Sequence, residues 1–134
     1  MPKIRCFEDI EAWQKSRGLT NLVYRLSGSG PWAKDFALRD QVREASISIM
    51  SNIAEGFERI GDAELAHFLS MAKGSTGEVR AQLYVALDQK FIDQKQFESS
   101  NALASETGRL IGGFIRYLKM QKPATRDPRP VTRD

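Results

Sequence analysis

The chain is short of several features that define whole classes of protein. It has one cysteine and one histidine among 134 residues, which excludes an internal disulfide and a cysteine-rich zinc site. A single cysteine is typical of proteins in a reducing compartment. No stretch approaches the roughly 18 uninterrupted apolar residues of a membrane helix, and the N-terminus has no apolar core of signal-peptide length. We therefore expect a soluble, cytoplasmic protein that does not enter a membrane.

Proline is confined to positions 2, 31, 123, 128 and 130, so no proline interrupts a helix between residues 32 and 122. Apolar residues recur there at steps of three or four, and no strand-like alternation is present. These positions form three stripes, running from Leu38 to Phe57, from Leu65 to Leu87 and from Phe97 to Leu118, and a shorter one runs from Ile10 to Leu26. The pattern predicts an all-α protein, an antiparallel up-and-down four-helix bundle.

The predicted breaks between helices agree with the stripes. Ser27–Pro31 is rich in glycine and predicts a loop. Gly61 is expected to end the second helix, while Asp62 and Asp93 are expected to be the N-caps of the third and fourth helices. The fourth helix is predicted to end near Met120, which gives a bundle domain over residues 1–120.

The net charge of +3 is unevenly distributed. The last fourteen residues, 121–134, carry four basic and two acidic residues and three of the five prolines, so we predict a disordered basic tail. The first 120 residues then hold 16 basic and 15 acidic residues. Any basic surface on the bundle must therefore be a patch that acidic residues balance elsewhere.

The second predicted helix is apolar on two sides. Beside its core stripe, Ile47, Met50 and Ala54 form a second apolar patch. A line of polar residues also runs along the helix, with spacings of seven, four, three and four: Gln41, Ser48, Asn52, Glu55 and Arg59. We interpret these residues as an oligomer interface: Gln41, Ile47, Ser48, Met50, Asn52, Ala54, Glu55 and Arg59. The alternative is a helix that is well buried within its own bundle. Glu55 and Arg59 are one turn apart and are expected to form an ion pair.

Glycine inside a helix costs about 1 kcal/mol relative to alanine, so a helical glycine suggests that something packs closely against it. Gly56 on the second helix is such a position, and so are Gly74 and Gly77 on the third and the pair at 112 and 113 on the fourth.

No catalytic constellation is evident. His67 is the only histidine available for a catalytic triad. Glu64-x-x-His67 has the spacing that di-iron bundles use, but those bundles need the pair twice. His67 is therefore interpreted as a surface residue. The sequence predicts no enzyme, no metal, no cofactor and no small-molecule substrate.

Basic residues at helical spacing make nucleic acid a candidate partner. Arg39 and Arg43 are one turn apart on the second helix, and Lys73 and Arg80 are two turns apart on the third. Such clusters bind phosphates without regard to sequence. Asp40 and Glu44 lie among the arginines, however, and that mixture is also typical of a solvated helix face or of ion pairs between subunits.

Three stretches, Phe7–Trp13, Leu38–Arg59 and Phe68–Ser75, resemble the family of 23S rRNA-intervening sequence proteins. The most specific element is the Ser48-x-x-x-Asn-Ile-Ala-Glu-Gly56 segment, followed by an arginine and later by Ala-x-Gly-Ser. The resemblance covers roughly Phe7 to Leu118. It implies an antiparallel four-helix bundle that assembles into a ring-like homopentamer and has no established biochemical activity. Relatives of similar fold are accessory proteins of diversity-generating retroelements, in which a basic pentamer binds reverse transcriptase and nucleic acid.

Two hypotheses follow from the residues and the resemblance. The first is a non-enzymatic homopentamer whose assembled surface binds RNA, DNA or a nucleic-acid enzyme. The second is a scaffold or adaptor protein with no nucleic-acid binding, in which the polar line of the second helix is purely structural.

Overall fold

The computed structural model describes residues 3–121 and contains four long helices. These are α1 (Glu11–Ser27), α2 (Phe36–Glu58), α3 (Asp62–Asp88) and α4 (Gln94–Lys119). Two short 3-10 helices, Phe7–Asp9 and Gly30–Lys34, precede α1 and α2. No strand occurs within residues 3–121, so the all-α prediction is confirmed. The predicted disordered tail, apart from Gln121, lies outside the described residues.

The predicted start of α4 is confirmed, and two other predicted boundaries are wrong. Gly61 does not end the second helix, because α2 ends at Glu58 and Arg59 is its C-cap. Asp93 accepts a hydrogen bond from the Gln96 amide at 2.7 Å, and the Gln96 side chain accepts one from the Asp93 amide at 2.9 Å. This capping box confirms the predicted start of α4. The prediction for Asp62 is wrong by one residue, because Gly61, at φ 96°, is the N-cap and Asp62 is the first helical residue. A positive φ favours glycine, so Gly61 determines where the turn into α3 lies.

Neighbouring helices run antiparallel. Between α2 and α3, Ser48 contacts Ser75 and Gly56 contacts Phe68, so residue numbers rise along one helix as they fall along the other. The other adjacent pairs show the same opposed numbering: Thr20–Ser46 and Tyr24–Arg43 for α1–α2, Lys73–Gly112 and Thr76–Gly108 for α3–α4, and Ala12–Phe114 and Lys15–Glu106 for α1–α4. Each helix therefore packs against two neighbours, as in an up-and-down bundle.

The predicted apolar stripes form the core. Val42, Ile49 and Ile53 of α2 are fully buried, and so are Leu69 and Val79 of α3. None of the four helices is long and apolar enough to cross a membrane, as judged over residues 3–121.

Close helix approach explains some of the helical glycines but not all. A Cβ added at Gly56 would lie 2.6 Å from Phe68 Cβ, so the expected tight packing is present there. At Gly112 the nearest atom would be Lys73 Cε at 3.2 Å. Gly74 and Gly77 have nothing within 4 Å of the added atom, so the close-packing explanation is wrong for them within one chain.

Candidate nucleic-acid interface and subunit interface

The polar line on α2 lies along its seam with α3. The Ser48 and Ser75 hydroxyl oxygens are 3.1 Å apart, and the Asn52 amide donates to the Ser48 carbonyl at 2.9 Å and to its hydroxyl at 3.0 Å. These groups are half-buried. Ser48 and the Asn52 amide thus have partners within the chain, whereas Gln41 is exposed at the other end of the line.

The predicted ion pair at the C-terminal end of α2 is present. Arg59 donates to Glu55 Oε2 at 2.9 Å, and its guanidinium lies 5.2 Å from the centre of the Phe68 ring on α3. The hydrogen bond to Glu55 raises the pKa of Arg59 above its ordinary value. Both side chains are about half exposed, so the pair adds little stability but fixes the orientation of Arg59.

The bundle covers only part of the second apolar patch of α2. Met50 is half-buried against α1, where the Thr20 hydroxyl donates to its sulfur at 3.3 Å. Ala54 is also half-buried, whereas Ile47 is 41% exposed. Part of the patch is therefore covered within the bundle, and Ile47 is the member that exposes the most apolar surface.

Sequence reasoning missed one buried polar residue of the α2–α3 region. Gln82 of α3 is 9% exposed, and its Oε1 atom has no hydrogen-bond partner within residues 3–121. An unpaired buried amide oxygen is costly, about 1–3 kcal/mol. The antiparallel register of Ser48 with Ser75 brings Gln82 level with Gln41 of α2. Gln82 lies seven residues after Ser75, which is two helical turns, and this spacing in the sequence could have placed it on the same side of α3.

The strongest electrostatic feature is a groove between α3 and α4. It has a volume of about 400 Å³ and is lined by four basic side chains: Lys73 and Arg80 from α3, and Arg109 and Arg116 from α4. Gly77, Gly108 and Gly112 contribute no side chains to its wall. Because the glycines leave the groove open, the four exposed cations lie around one concave surface. We call this surface the basic groove.

The basic groove has no acidic counterpart. Within residues 3–121, no carboxylate forms an ion pair with any of its four cations. The Arg80 Nε donates instead to the neutral Asn101 Oδ1 at 3.0 Å. Positive charge that is not neutralised in a concave surface attracts anions, and a polyanion most strongly.

Arg39 and Arg43 lie apart from the basic groove, beside the connection between α1 and α2. Arg43 donates to the Ser27 hydroxyl at 2.9 Å and to the Tyr24 carbonyl at 3.3 Å, and it stacks on the Tyr24 ring. Arg39 donates to the Ala33 carbonyl at 3.1 Å and pairs with its neighbouring aspartate. Both guanidinium groups therefore already have partners in the chain.

Comparison with known proteins agrees with this architecture. The family model described as 23S rRNA-intervening sequence protein matches residues 8–113, which is most of the chain. The chain belongs to this family. It is also similar to the crystal structure of a protein of unknown function from the S23 ribosomal protein family of Bacteroides thetaiotaomicron. The TM-score is 0.72 at 23% identity over 78% of this chain and 95% of that one, which shows a shared fold. A search of curated proteins finds no match.

In this family member, sequence reasoning found only half of the basic groove. Arg109 and Arg116 were missed, although they are seven residues apart like Lys73 and Arg80, and both pairs span two helical turns. The repeated spacing on α4 was the signal that could have found them.

The single histidine lies outside both surfaces. His67 is exposed on α3, as the sequence predicted, and its ring contacts only the neighbouring Phe68 ring among the aromatic side chains of residues 3–121. No group of three His, Cys, Asp or Glu side chains is arranged around a metal position in this part of the chain.

Proposed function

We propose that this protein is a non-enzymatic, cytoplasmic homo-oligomer, a pentamer, that binds nucleic acid through its basic groove. The observation that carries the proposal is the convergence of Lys73, Arg80, Arg109 and Arg116 on one concave surface, where no carboxylate of residues 3–121 forms an ion pair with them. Arg39 and Arg43 are left outside the proposed surface, because both are already hydrogen-bonded within the chain.

The length of the basic groove suits a short run of phosphates. Lys73 and Arg80 are seven residues apart, as are Arg109 and Arg116, and at 1.5 Å per residue each pair spans roughly 10 Å along its helix. Successive phosphates of one strand are about 3.4 Å apart along the axis of a duplex, so each subunit could contact roughly three. Repetition of the groove in a ring would multiply these contacts by avidity.

A salt series of gel shifts with structured RNA and with duplex DNA tests the proposal. Neutralising roughly three phosphates per subunit predicts a slope of log K against log salt of about −2.7 for duplex DNA. Lys73→Gln and Arg116→Gln should each weaken binding and reduce the magnitude of this slope by about 0.9. Lys95→Gln is the matched control, since Lys95 is exposed near the start of α4, outside the groove, and its loss changes the net charge equally. Failure to bind either probe at about 50 mM salt would contradict the proposal.

The proposed assembly uses the outer surface of α2. Gln41 and Ile47 are exposed there, while Asn52 and Glu55 lie further along the same helix. Each chain has a mass of 15.1 kDa, so a pentamer would scatter light with five times that mass and a monomer with that mass alone.

Substitutions on α2 test whether this surface forms the subunit contact. Ile47→Asp would place a charge in the contact, and Glu55→Ala would remove the ion pair with Arg59, so both should shift the mass towards the monomer. Lys95→Ala serves as the control. A wild-type mass near that of one chain would refute the oligomer.

The alternative function is a structural scaffold or adaptor with no nucleic-acid binding. The internal bonding of Ser48, Asn52, Arg39 and Arg43 favours it, because these polar groups have structural roles within one chain. An oligomer that fails to bind RNA or DNA in the salt series would support this function.

A further inference from the structure

A second concavity lies on the flank of α4 next to the basic groove. It is an apolar pocket of about 290 Å³ between α4 and the segment that leads into α1. Its apolar wall consists of Ile4, Ile10, Ala12, Leu110 and Phe114. We call it the N-terminal pocket.

The two concavities adjoin each other across α4. Arg109 lines both of them, and the consecutive glycines 112 and 113 line the basic groove and the N-terminal pocket respectively. The ridge of α4 between them therefore has two glycines, and the Arg116 guanidinium lies over them, with Nη1 3.5 Å from a Cβ built at Gly112 and Nη2 3.8 Å from one built at Gly113. A strand that crosses this ridge would contact the guanidinium groups of Arg109 and Arg116.

The rim of the N-terminal pocket carries hydrogen-bond acceptors. Asp9 and Glu11 line it beside the apolar wall. The backbone amide of Arg5 donates to Asp9 Oδ2 at 3.0 Å, which orients the carboxylate and lowers the pKa of Asp9. An ionised carboxylate only accepts hydrogen bonds, so this rim suits a ligand with N–H donors at its edge.

We propose that the N-terminal pocket receives one unpaired base of a strand whose phosphates lie in the basic groove, which makes single-stranded nucleic acid the preferred ligand. The inference rests on the proposed function, since the groove must first bind the backbone. It goes further by assigning a class of nucleic acid and a base-binding site.

The chemistry of the pocket favours a base over other ligands. Its volume lies at the lower end of the roughly 300–1,000 Å³ range of small-molecule pockets, which suits a single planar ring system. The apolar wall can contact the faces of the base, while Asp9 and Glu11 can accept hydrogen bonds from its amino or imino groups. A base in a duplex is stacked on both faces and paired at its edge, so it cannot enter. Arg109, at the junction, would hold the phosphate that connects the bound base to the strand in the groove.

The decisive variant is Gly113→Leu. Among residues 3–121, a Cβ at position 113 would meet only Arg116 Nη2, at an ordinary 3.8 Å, so a Cβ can be added there without a clash. Because Gly113 lines the N-terminal pocket, we expect the leucine side chain to fill part of it. Gly18→Leu is the matched control, because a Cβ there has nothing within 4 Å and Gly18 lies in the middle of α1. Circular dichroism melts of both variants verify folding, and Gly113→Ala provides a smaller filling of the pocket.

The experiment measures binding of the full chain to a single-stranded RNA and to a duplex of equal length by fluorescence anisotropy at fixed salt. Base stacking on protein side chains contributes about 1–3 kcal/mol per base. We expect the single strand to bind at least about fivefold more tightly and Gly113→Leu to abolish this preference without changing the salt slope. Gly18→Leu should bind as the wild type does. A 2-aminopurine in the strand should change its fluorescence on binding to the wild type but not to Gly113→Leu.

The outcomes separate this inference from the proposed function. Equal affinity for the single strand and the duplex, or wild-type preference in Gly113→Leu, would overturn the base-binding pocket and leave the basic groove intact. That result would also be expected if the pocket received an apolar side chain of a protein partner. Absence of binding by both nucleic acids would overturn the proposed function, and the pocket assignment with it.

Discussion

Replacement of Gly56 by alanine tests the close contact between α2 and α3. The added Cβ would lie 2.6 Å from Phe68 Cβ and 3.1 Å from Leu65 Cδ1. Carbon atoms pack best at about 3.5–4.0 Å, so α2 and α3 would have to separate by about 1 Å at this point. Phe68 Cβ is fixed to its own backbone, which means that a change of side-chain rotamer cannot relieve the clash.

Two opposing terms set the magnitude. Alanine gains about 1 kcal/mol of helix propensity over glycine, whereas overpacking of a well-packed contact costs about 1–3 kcal/mol. We expect Gly56→Ala to lower the free energy of unfolding by up to about 2 kcal/mol. Gly18→Ala, in open space on α1, should raise it by up to about 1 kcal/mol because only the propensity term acts there.

Urea denaturation followed by far-ultraviolet circular dichroism measures both variants, at one protein concentration so that assembly contributes equally. The informative result is which variant has the lower free energy of unfolding, because both substitutions make the same chemical change in a helix. If Gly56→Ala proves as stable as Gly18→Ala, the close approach of α2 and α3 is refuted.

Three further predictions concern the N-terminal segment and the start of α4. Asp93→Ala should lower the free energy of unfolding by about 1 kcal/mol in urea denaturation, because it removes the capping box. The hydrogen bond from the Arg5 amide holds the pKa of Asp9 below its ordinary 3.8, so its stabilising contribution should be present above that pH and lost as the pH falls through the folded value. Asp9→Asn should therefore destabilise the protein at pH 6 but not near pH 2. Partial burial, followed by a hydrogen bond with Glu8, raises the pKa of Cys6, so its thiol should react more slowly with a disulfide reagent at pH 7.5 in the folded protein than in urea.

The fold was largely predictable because helical signals are local. The stripe through Val42, Ile49 and Ile53 appears in sequence as steps of three or four, and the same residues are buried in the structure. The N-cap at Asp93 was equally readable. The position of Trp32 could not be predicted from local sequence patterns. It is fully buried in the 3-10 helix before α2 and stacks with Phe91, 6.1 Å away between ring centres, from the connection before α4. No periodic pattern joins residues 59 positions apart.

The basic groove was only partly predictable for a similar reason. Sequence spacing groups residues of one helix, so it paired Arg39 with Arg43 and Lys73 with Arg80. The groove is built across two antiparallel helices, and its second half depends on the register of α4 against α3. That register depends on small residues such as Gly108, where an added Cβ would be 3.0 Å from Thr76 Oγ1. Such a contact is visible only in three dimensions.

The distribution of acidic residues links the proposed assembly to the proposed binding of nucleic acid. The first 120 residues are nearly neutral, yet no carboxylate within residues 3–121 forms an ion pair with the basic groove. Four exposed acidic residues lie on α2: Asp40, Glu44, Glu55 and Glu58. α2 is also the helix proposed to contact the neighbouring subunit. If assembly buries its outer surface, it withdraws negative charge from solvent while α3 and α4 remain available. The assembled ring would then present a more basic surface than the isolated chain, so nucleic-acid binding would depend on assembly through charge as well as through the number of grooves.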